Sequence, residues 1–329
     1  MNKGVRQRMK LGLFTALYSD LPLAEMLSKV KSMGFQTVEL YTGKLAPPAH
    51  CDPEPLLGSK AKLQEFKDTI EKYGLPISQL NCSGNPISPI PGEAEKHKEA
   101  FLQTIRLAEK LGIDTIANFS GCPGGGPKDE TPNWITCPWP EEYLSMLEYQ
   151  WNEVLVPFWK WAVKEAANYG VTKIGLEMHP GFCVYNPETL LKLRSAVGEA
   201  IGSNFDPSHL IWQGIDIPEA ILSLRGAIFH MHAKDTRVFA RNVRRNGNLD
   251  TKHYSHVEQR AWVFGTVGYG NDERYWRGII DALALTGYDG VVSIEHEDSS
   301  MSKDEGLMKA YELLNRVIIR EKPGAMWWA

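Results

Sequence analysis

The sequence has no apolar run long enough to cross a membrane. Its basic N-terminal segment is followed by only eight mostly apolar residues, 11–18, whereas a spanning helix needs about 20. No small-residue cleavage site follows, and Asp20 with Pro22 begins a helix instead, which argues against a signal peptide. We therefore expect a cytoplasmic protein without membrane contact.

Cysteine is scarce, and no two cysteines form a CxxC pair. The five cysteines are odd in number and widely spaced, which is typical of reduced thiols and not of a disulfide framework. They are Cys51, Cys82, Cys122, Cys137 and Cys183.

The chain also has no excess of positive charge, because it contains 36 Lys and Arg residues and 40 Asp and Glu residues, for a net charge of -4. Binding to nucleic acid through phosphate contacts needs a basic surface. One local cluster of Arg and Lys occurs in residues 236–272, which we interpret as either a solvated loop or a lid over a substrate. We expect no nucleic-acid partner.

No strand–GxGxxG–helix motif occurs, which disfavours a doubly wound open sheet. The chain instead repeats one unit, a helical segment that ends on glycine and is followed by a short β-rich run. Gly34 before FQTVELY and Gly112 before IDTIANF are examples. Eight β-rich runs occur: 11–17, 35–41, 75–81, 113–119, 171–177, 200–206, 227–235 and 288–295.

Eight helical patterns alternate with these runs, at 21–33, 58–73, 93–111, 141–169, 187–196, 217–224, 273–286 and 303–320. Strict alternation predicts the α/β class and a single (β/α)8 TIM barrel over 10–320, with 321–329 as a C-terminal tail. Two long connections, 121–140 after the fourth strand and 236–272 after the seventh, are predicted to be ordered covers because they contain tryptophans.

Each of the last four predicted strands ends on a side chain that can bind a metal. In a barrel these ends converge on one mouth. A single carboxylate there is more often a helix cap or an ion-pair partner, but four such residues in succession without a cation would cost stability. The four residues are Glu177, Asp206, His232 and Glu295.

Three carboxylates and one imidazole form a donor set rich in oxygen. Such a set is typical of a site for a hard divalent cation and not of a structural zinc site, which is rich in thiolates. We expect one divalent ion, Mn²⁺ as first choice, with Mg²⁺, Co²⁺ or Zn²⁺ as alternatives.

Four motifs carry a resemblance to a known family: EMHP (177–180), NFDPSH (204–209), HMHAKD (230–235) and SIEHED (293–298). Together they resemble the xylose isomerase-like TIM barrels of the sugar phosphate isomerase/epimerase superfamily, over roughly residues 10–320. The resemblance to the ketose 3-epimerases implies that Glu177, Asp206, His232 and Glu295 hold one metal ion. It also implies acid/base roles for Glu177 and Glu295 and a substrate contact for His209. In such a reaction a divalent ion stabilises an enediolate, and two carboxylates on opposite faces of a sugar remove and return a proton. We expect Glu177 and Glu295 to be this pair, with His209 polarising a substrate oxygen.

Further substrate contacts are expected from His179, Lys234, Arg237 and Trp139. His179 shares the strand face of Glu177, although a hydrogen-bonded turn histidine is an equal alternative. Arg237 follows His232 closely, and a guanidinium can donate two parallel hydrogen bonds. Trp139 is expected to stack on a sugar ring or an aryl group.

The leading functional hypothesis is a metal-dependent sugar isomerase or epimerase of carbohydrate metabolism. The alternative is a lyase that eliminates the aglycone from a 3-keto-glycoside, a reaction that some relatives are thought to perform with a small partner subunit. The same superfamily contains apurinic endonucleases, which have extra histidine ligands on the third and fourth strands. Asn81 and Asn118 occupy those strand ends here, which argues against that activity. A non-catalytic sugar-binding protein is the remaining alternative. Trp327 and Trp328 in the tail predict docking, which leaves a homo-oligomer or a partner subunit open.

Overall fold

A closed barrel of eight parallel strands forms the centre of the computed structural model, which describes residues 9–321 and 324–328. Neighbouring strands follow chain order around the barrel, and the first strand pairs with the last. The strands are β1 Lys10–Phe14, β2 Thr37–Tyr41, β3 Ile77–Asn81, β4 Thr115–Phe119, β5 Lys173–Glu177, β6 Ile201–Phe205, β7 Ile228–Ala233 and β10 Val291–Ile294. The predicted (β/α)8 fold is confirmed.

Helices follow the barrel strands and cover the outside. Several begin with a side-chain cap, as where Asn186 accepts a hydrogen bond from the Thr189 N–H, and Gly74 ends one with a left-handed φ of 59°. The helices are α1 Leu23–Ser32, α2 Pro53–Gly58, α3 Lys60–Tyr73, α4 Glu93–Leu111, α5 Glu142–Tyr149, α6 Val156–Asn168, α7 Pro187–Val197, α8 Pro207–Ile211, α9 Ile217–Ser223, α10 Ala240–Asn246, α11 Glu273–Thr286 and α12 Lys303–Val317.

The predicted helix 141–169 is interrupted by a π-helical turn, Gln150–Leu155, between α5 and α6. Residues 236–272, expected to be a loop, contain structure of their own. Strands β8 Asp235–Val238 and β9 Trp262–Gly265 pair antiparallel, with α10 between them. We call residues 235–265 the lid.

A buried aspartate holds the lid against the barrel wall. The carboxylate of Asp235 accepts hydrogen bonds from the backbone N–H groups of Gly268 and Asn271 and from the Trp276 indole. The lid itself packs through Trp262, whose ring stacks on Trp212 with centroids 4.7 Å apart. The lid is therefore an ordered cover, as expected for a long connection that contains tryptophan.

None of the helices in the described part of the chain is both long and apolar enough to cross a membrane. All five cysteines lie in the described part, and none is bonded to another. Residues 1–8 of the basic N-terminal segment and residues 322, 323 and 329 of the predicted tail lie outside the described residues.

Candidate metal centre

The C-terminal ends of four consecutive barrel strands bring together four side chains that could hold a metal ion. Glu177 ends β5, Asp206 follows β6, His232 lies in β7 and Glu295 follows β10. One ligand atom of each lies within 4.8 Å of the others. The first three side chains are almost fully buried, and Glu295 is partly exposed. The site predicted from the sequence is therefore geometrically compact.

Two carboxylate oxygens at this site lack the hydrogen-bond partners that buried oxygens usually have, and a cation could take that place. Oδ2 of Asp206 and Oε2 of Glu295 are buried and accept no hydrogen bond of regular geometry. The Nζ of Lys234 lies 3.1 and 3.2 Å from them, and nitrogens of His209 and His232 lie 3.3 and 2.8 Å from them, respectively. Buried oxygens without such partners are costly to desolvate. The donor set of three carboxylates and one imidazole thus fits a hard divalent cation.

The imidazole of His232 is held by a glutamate that sequence reasoning missed. Its Nε2 lies 2.9 and 3.0 Å from the two carboxylate oxygens of Glu39. Because a carboxylate only accepts, Nε2 is the donor in this contact. Nδ1 faces Glu177 and Glu295, at 3.4 and 2.8 Å. The sequence signal that could have found it is a glutamate inside the apolar strand TVELY. In the structure the Glu39 side chain is fully buried.

Glu39 is ionised despite its burial. Burial opposes ionisation, but His232 and His230 outweigh it and lower the pKa of the Glu39 carboxyl to about 2. Amide groups of Gln79 and Asn81 also donate to Glu39, at 2.9 and 3.0 Å. For His232, burial likewise opposes the charged form, but Glu39 and Glu295 raise its pKa well above the ordinary value.

Lys234 places a positive charge among the acidic ligands. Its buried Nζ lies between Asp206, Glu295 and Glu297, the last at 3.3 Å. Burial opposes the charged form, yet these carboxylates, Asp206 first, raise the lysine pKa well above its usual range. Lys234 lines the cavity above the candidate metal centre, but carboxylates already engage its ammonium group. Its substrate contact stays a prediction.

His209 and His179 stand together on one side of the site. The Nε2 of His209 lies 3.1 Å from Glu177 Oε1, and its ring lies 4.0 Å from the ring of His179. Although burial opposes ionisation of Glu177, hydrogen bonds from His209 and His232 hold its pKa well below the ordinary value. Burial, with the nearby His209, lowers the pKa of His179 to about 3, so this ring is neutral at physiological pH.

A cavity of about 830 Å³ opens above these residues. The lid supplies much of its wall, including Tyr254 and Phe264, whose rings stack 5.8 Å apart. Phe119, at the end of β4, also lines the cavity and stacks on Phe182. The residues lining the cavity are Phe119, Glu177, His179, His209, Lys234, Tyr254, Ser255, Val257, Val263, Phe264, Glu295, Glu297, Asp298 and Ser299.

Two residues expected to bind substrate do not line this cavity in the described structure. Trp139 is 74% exposed. Arg237 lies in β8, with its Nε 3.5 Å from the backbone oxygen of Tyr269. Their substrate contacts therefore stay predictions. The aromatic cover comes from Tyr254 and Phe264, which the sequence did not single out.

The remaining histidines near the site do not line the cavity. His230 lies below His232 in the barrel interior and contacts Ser78 and Asn204, each at 3.1 Å. His296 points outward to α12, since a Cβ at Gly306 would lie 2.2 Å from its ring.

Asn81 and Asn118 occupy the ends of β3 and β4, and Asn118 accepts hydrogen bonds from the N–H groups of Gly84 and Phe119.

Comparisons with known proteins agree with this architecture. The family model described as "Xylose isomerase-like TIM barrel" matches residues 27–317. The uncharacterized protein YfiH of Bacillus subtilis is 41% identical over 313 residues, which cover 94% of this chain and 99% of that protein.

Two solved structures illustrate the similarity in fold. The probable 3-DHS dehydratase AsbF of Bacillus anthracis superposes with a TM-score of 0.64 at 19% identity, covering 93% of this chain and 99% of that one. A D-psicose 3-epimerase of Clostridium cellulolyticum H10, solved with D-tagatose, gives a TM-score of 0.63 at 16% identity, covering 94% and 99%.

Proposed function

Because the chain belongs to the xylose isomerase-like TIM-barrel family, we propose that it is a divalent-metal-dependent isomerase or epimerase of a sugar, keto-sugar or sugar derivative. The observation that carries this proposal is the compact set of three carboxylates and one imidazole beneath the 830 Å³ cavity. The solved epimerase and dehydratase share the fold with this chain, and the choice between such reactions rests on the site itself.

Glu177, Asp206, His232 and Glu295 would hold one divalent cation, for which Mn²⁺ is our choice given the oxygen-rich donors. When bound, the ion acts as a Lewis acid that stabilises negative charge on substrate oxygens. Glu39 orients His232 toward this position through Nε2.

Glu177 and Glu295 are the proposed acid/base pair. They stand on β5 and after β10, with β6 and β7 between these strands, so they reach the cavity from different directions. One carboxylate removes the proton from the carbon beside the carbonyl, and the other returns a proton on the opposite face. His209, in contact with Glu177, is positioned to donate a hydrogen bond to a substrate oxygen.

The charges around the cavity favour a substrate without phosphate. Lys234 is the sole Lys or Arg among the lining residues described, and three carboxylates surround its ammonium group. Asp298 adds a further negative charge at the wall. A phosphate would meet these carboxylates without a free cation to pair with. We infer an uncharged or cationic polyhydroxyl substrate.

The size and apolar wall of the cavity favour a second candidate reaction. A volume of about 830 Å³ bordered by Tyr254 and Phe264 offers room for a sugar that carries an aryl group. Proton abstraction beside a keto group can expel a β-substituent, so the same residues would serve a lyase that releases the aglycone from a 3-keto-glycoside.

Location and assembly belong to the same proposal. Reduced cysteines are typical of a cytoplasmic protein. Trp327 and Trp328 are 89% and 70% exposed, which supports docking against a second copy or a small partner subunit. Light scattering distinguishes these assemblies from a monomer.

Incubation in deuterated water tests the proposal. The Mn²⁺-loaded protein is mixed separately with D-fructose, D-psicose and a phenyl 3-keto-glucoside. Deuterium at the carbon beside the carbonyl, with an intact substrate, indicates isomerisation or epimerisation, whereas released phenol indicates elimination. Retained metal with neither result contradicts both reactions and favours a binding protein.

Variants then assign the reaction to the site. Glu177→Gln and Glu295→Gln should each reduce deuterium incorporation by about 10²–10⁴-fold, because each removes one proton-transferring group. Glu25→Gln, on the exposed surface of α1, is the matched control. Equal rates in all three variants would show that proton transfer occurs elsewhere.

A further inference from the structure

Three of the five cysteines line a second cavity, separate from the one above the metal centre. This cavity of about 700 Å³ lies between the connection 121–140 and the segment that follows β5. Cys122, Cys137 and Cys183 all border it, together with Trp134 and other residues. Neither the proposed metal centre nor the proposed acid/base chemistry uses any of these thiols.

Two of the three cysteines lie on backbone segments that are hydrogen-bonded to each other. The N–H of Cys183 donates a hydrogen bond of 3.0 Å to the carbonyl oxygen of Gly121, the residue before Cys122. This hydrogen bond holds the backbone at Cys183 against the backbone at Cys122, and a disulfide requires such an approach because it spans roughly 4.4–6.8 Å between Cα atoms.

The two side chains also interact directly. A hydrogen bond from the Cys183 thiol lowers the pKa of Cys122, and the same contact raises the pKa of Cys183. Cys51 and Cys82 differ, because burial raises the pKa of both thiols, that of Cys82 to about 12. Cys122 is thus the more readily ionised member of the pair.

We propose that Cys122 and Cys183 form a redox modification site, which a hydroperoxide converts into a reversible disulfide. The sulfur of Cys122 attacks one peroxide oxygen, the O–O bond breaks, and with hydrogen peroxide the products are a sulfenic acid and water. The Cys183 sulfur then attacks the sulfenic sulfur, forms the S–S bond and releases a second water. Two thiols lose two electrons in total, and the peroxide gains them.

The disulfide ties the connection 121–140 to a wall of the metal-centre cavity. Cys183 directly follows Phe182, whose ring stacks on Phe119 at 4.5 Å and lies 5.6 Å from the ring of His179. Phe119 and His179 both line that cavity. The modification site is therefore next to the site proposed to bind substrate, although it does not depend on the reaction there.

Peptide mapping tests the proposal on the intact full-length protein. The protein is treated with one equivalent of hydrogen peroxide, alkylated with N-ethylmaleimide under denaturing conditions and digested with trypsin. Cys122, Cys137 and Cys183 fall on separate tryptic peptides, 111–128, 129–160 and 174–192. We expect three alkylated cysteines instead of five, a bridged pair of 111–128 with 174–192, and full reversal by dithiothreitol. Five alkylated cysteines, or a bridge through 129–160, would overturn the proposal.

Two variants separate the pair from the third thiol. Cys137→Ser should form the same bridge to the same extent, and loss of the bridge in this variant would overturn the pairing. Cys183→Ala should leave the Cys122 sulfenic acid without a partner, so that dimedone labels peptide 111–128. Absence of that label from a variant with a native circular dichroism spectrum would show that Cys122 does not react with peroxide.

Discussion

Glu39 accepts a hydrogen bond from Nε2 of His232 across the interior of the barrel, at 2.9 Å. The two residues lie on β2 and β7, which are not neighbouring strands. Glu39 is fully buried and belongs to a polar layer with Gln79 and Asn81, directly beneath the proposed metal centre. This layer determines which nitrogen of His232 faces Glu177 and Glu295.

Replacement of Glu39 by Gln should weaken metal binding. A neutral amide holds the His232 ring less firmly and makes its other nitrogen a weaker metal ligand. We therefore expect the affinity for Mn²⁺ to fall about 10–100-fold. Competition with a fluorescent chelator measures the change. Glu25→Gln on the exposed surface of α1 should bind as tightly as the natural protein. An unchanged affinity in Glu39→Gln would mean that the contact is structural only.

Replacement of Lys234 by Met should destabilise the metal-free protein more than the metal-loaded one. Asp206 and Glu295 lose their nearest ammonium group, and leaving buried carboxylates without it is expected to lower the free energy of unfolding by about 3 kcal/mol. A bound divalent ion compensates part of that charge. Urea unfolding with and without Mn²⁺ measures both values, with the exposed Lys62→Met as control. Equal losses in the two states would contradict the shared-charge explanation.

Phe264 and Trp139 should differ in their effect on substrate binding. Phe264 lines the cavity and lies under the Lys234 ammonium at 4.6 Å, whereas Trp139 is 74% exposed. Once a substrate is known, Phe264→Ala should raise KM about 10-fold, because a buried aromatic contact of about 1–1.5 kcal/mol is lost. Trp139→Ala should leave KM within about twofold if the open position seen here persists with substrate bound. A larger effect would restore the stacking role expected from the sequence.

The lid should loosen in acid through Asp250. Partial burial opposes ionisation of this carboxyl, but the Lys252 ammonium and the N–H of Ala261 outweigh it and lower its pKa from 3.8 to about 2. A lowered folded-state pKa means that the stabilisation is complete above the ordinary pKa and decreases as the pH falls from about 4 toward 2.

We expect a loss of about 1 kcal/mol in lid stability over that range, a value reduced for the solvent exposure of Lys252. Hydrogen exchange of residues 235–265, corrected for intrinsic rates, measures it. Asp250→Asn should remove this component of the pH dependence, and Asp281→Asn on the exposed surface of α11 should retain it. The same acid response in both variants would assign the effect to another group.

The sequence by itself determined the barrel and the four strand-end residues. Glycine helix ends, capping residues and apolar periodicity act over a few residues, so they can be read locally. Alternation of eight strands and helices then leaves few topologies, and closure places Glu177, Asp206, His232 and Glu295 at one mouth. Apart from Lys10 at the start of β1, the observed barrel strands lie inside the predicted runs for the same local reasons.

Only the tertiary structure decided which groups contact those four residues. The hydrogen bond from His232 to Glu39, 193 residues away in the chain, depends on how side chains fill the barrel interior. The lid hairpin brings Phe264 to the cavity, and a backbone hydrogen bond brings Cys183 beside Cys122. Such contacts depend on side-chain reach and packing between segments far apart in the chain, which a local pattern does not encode.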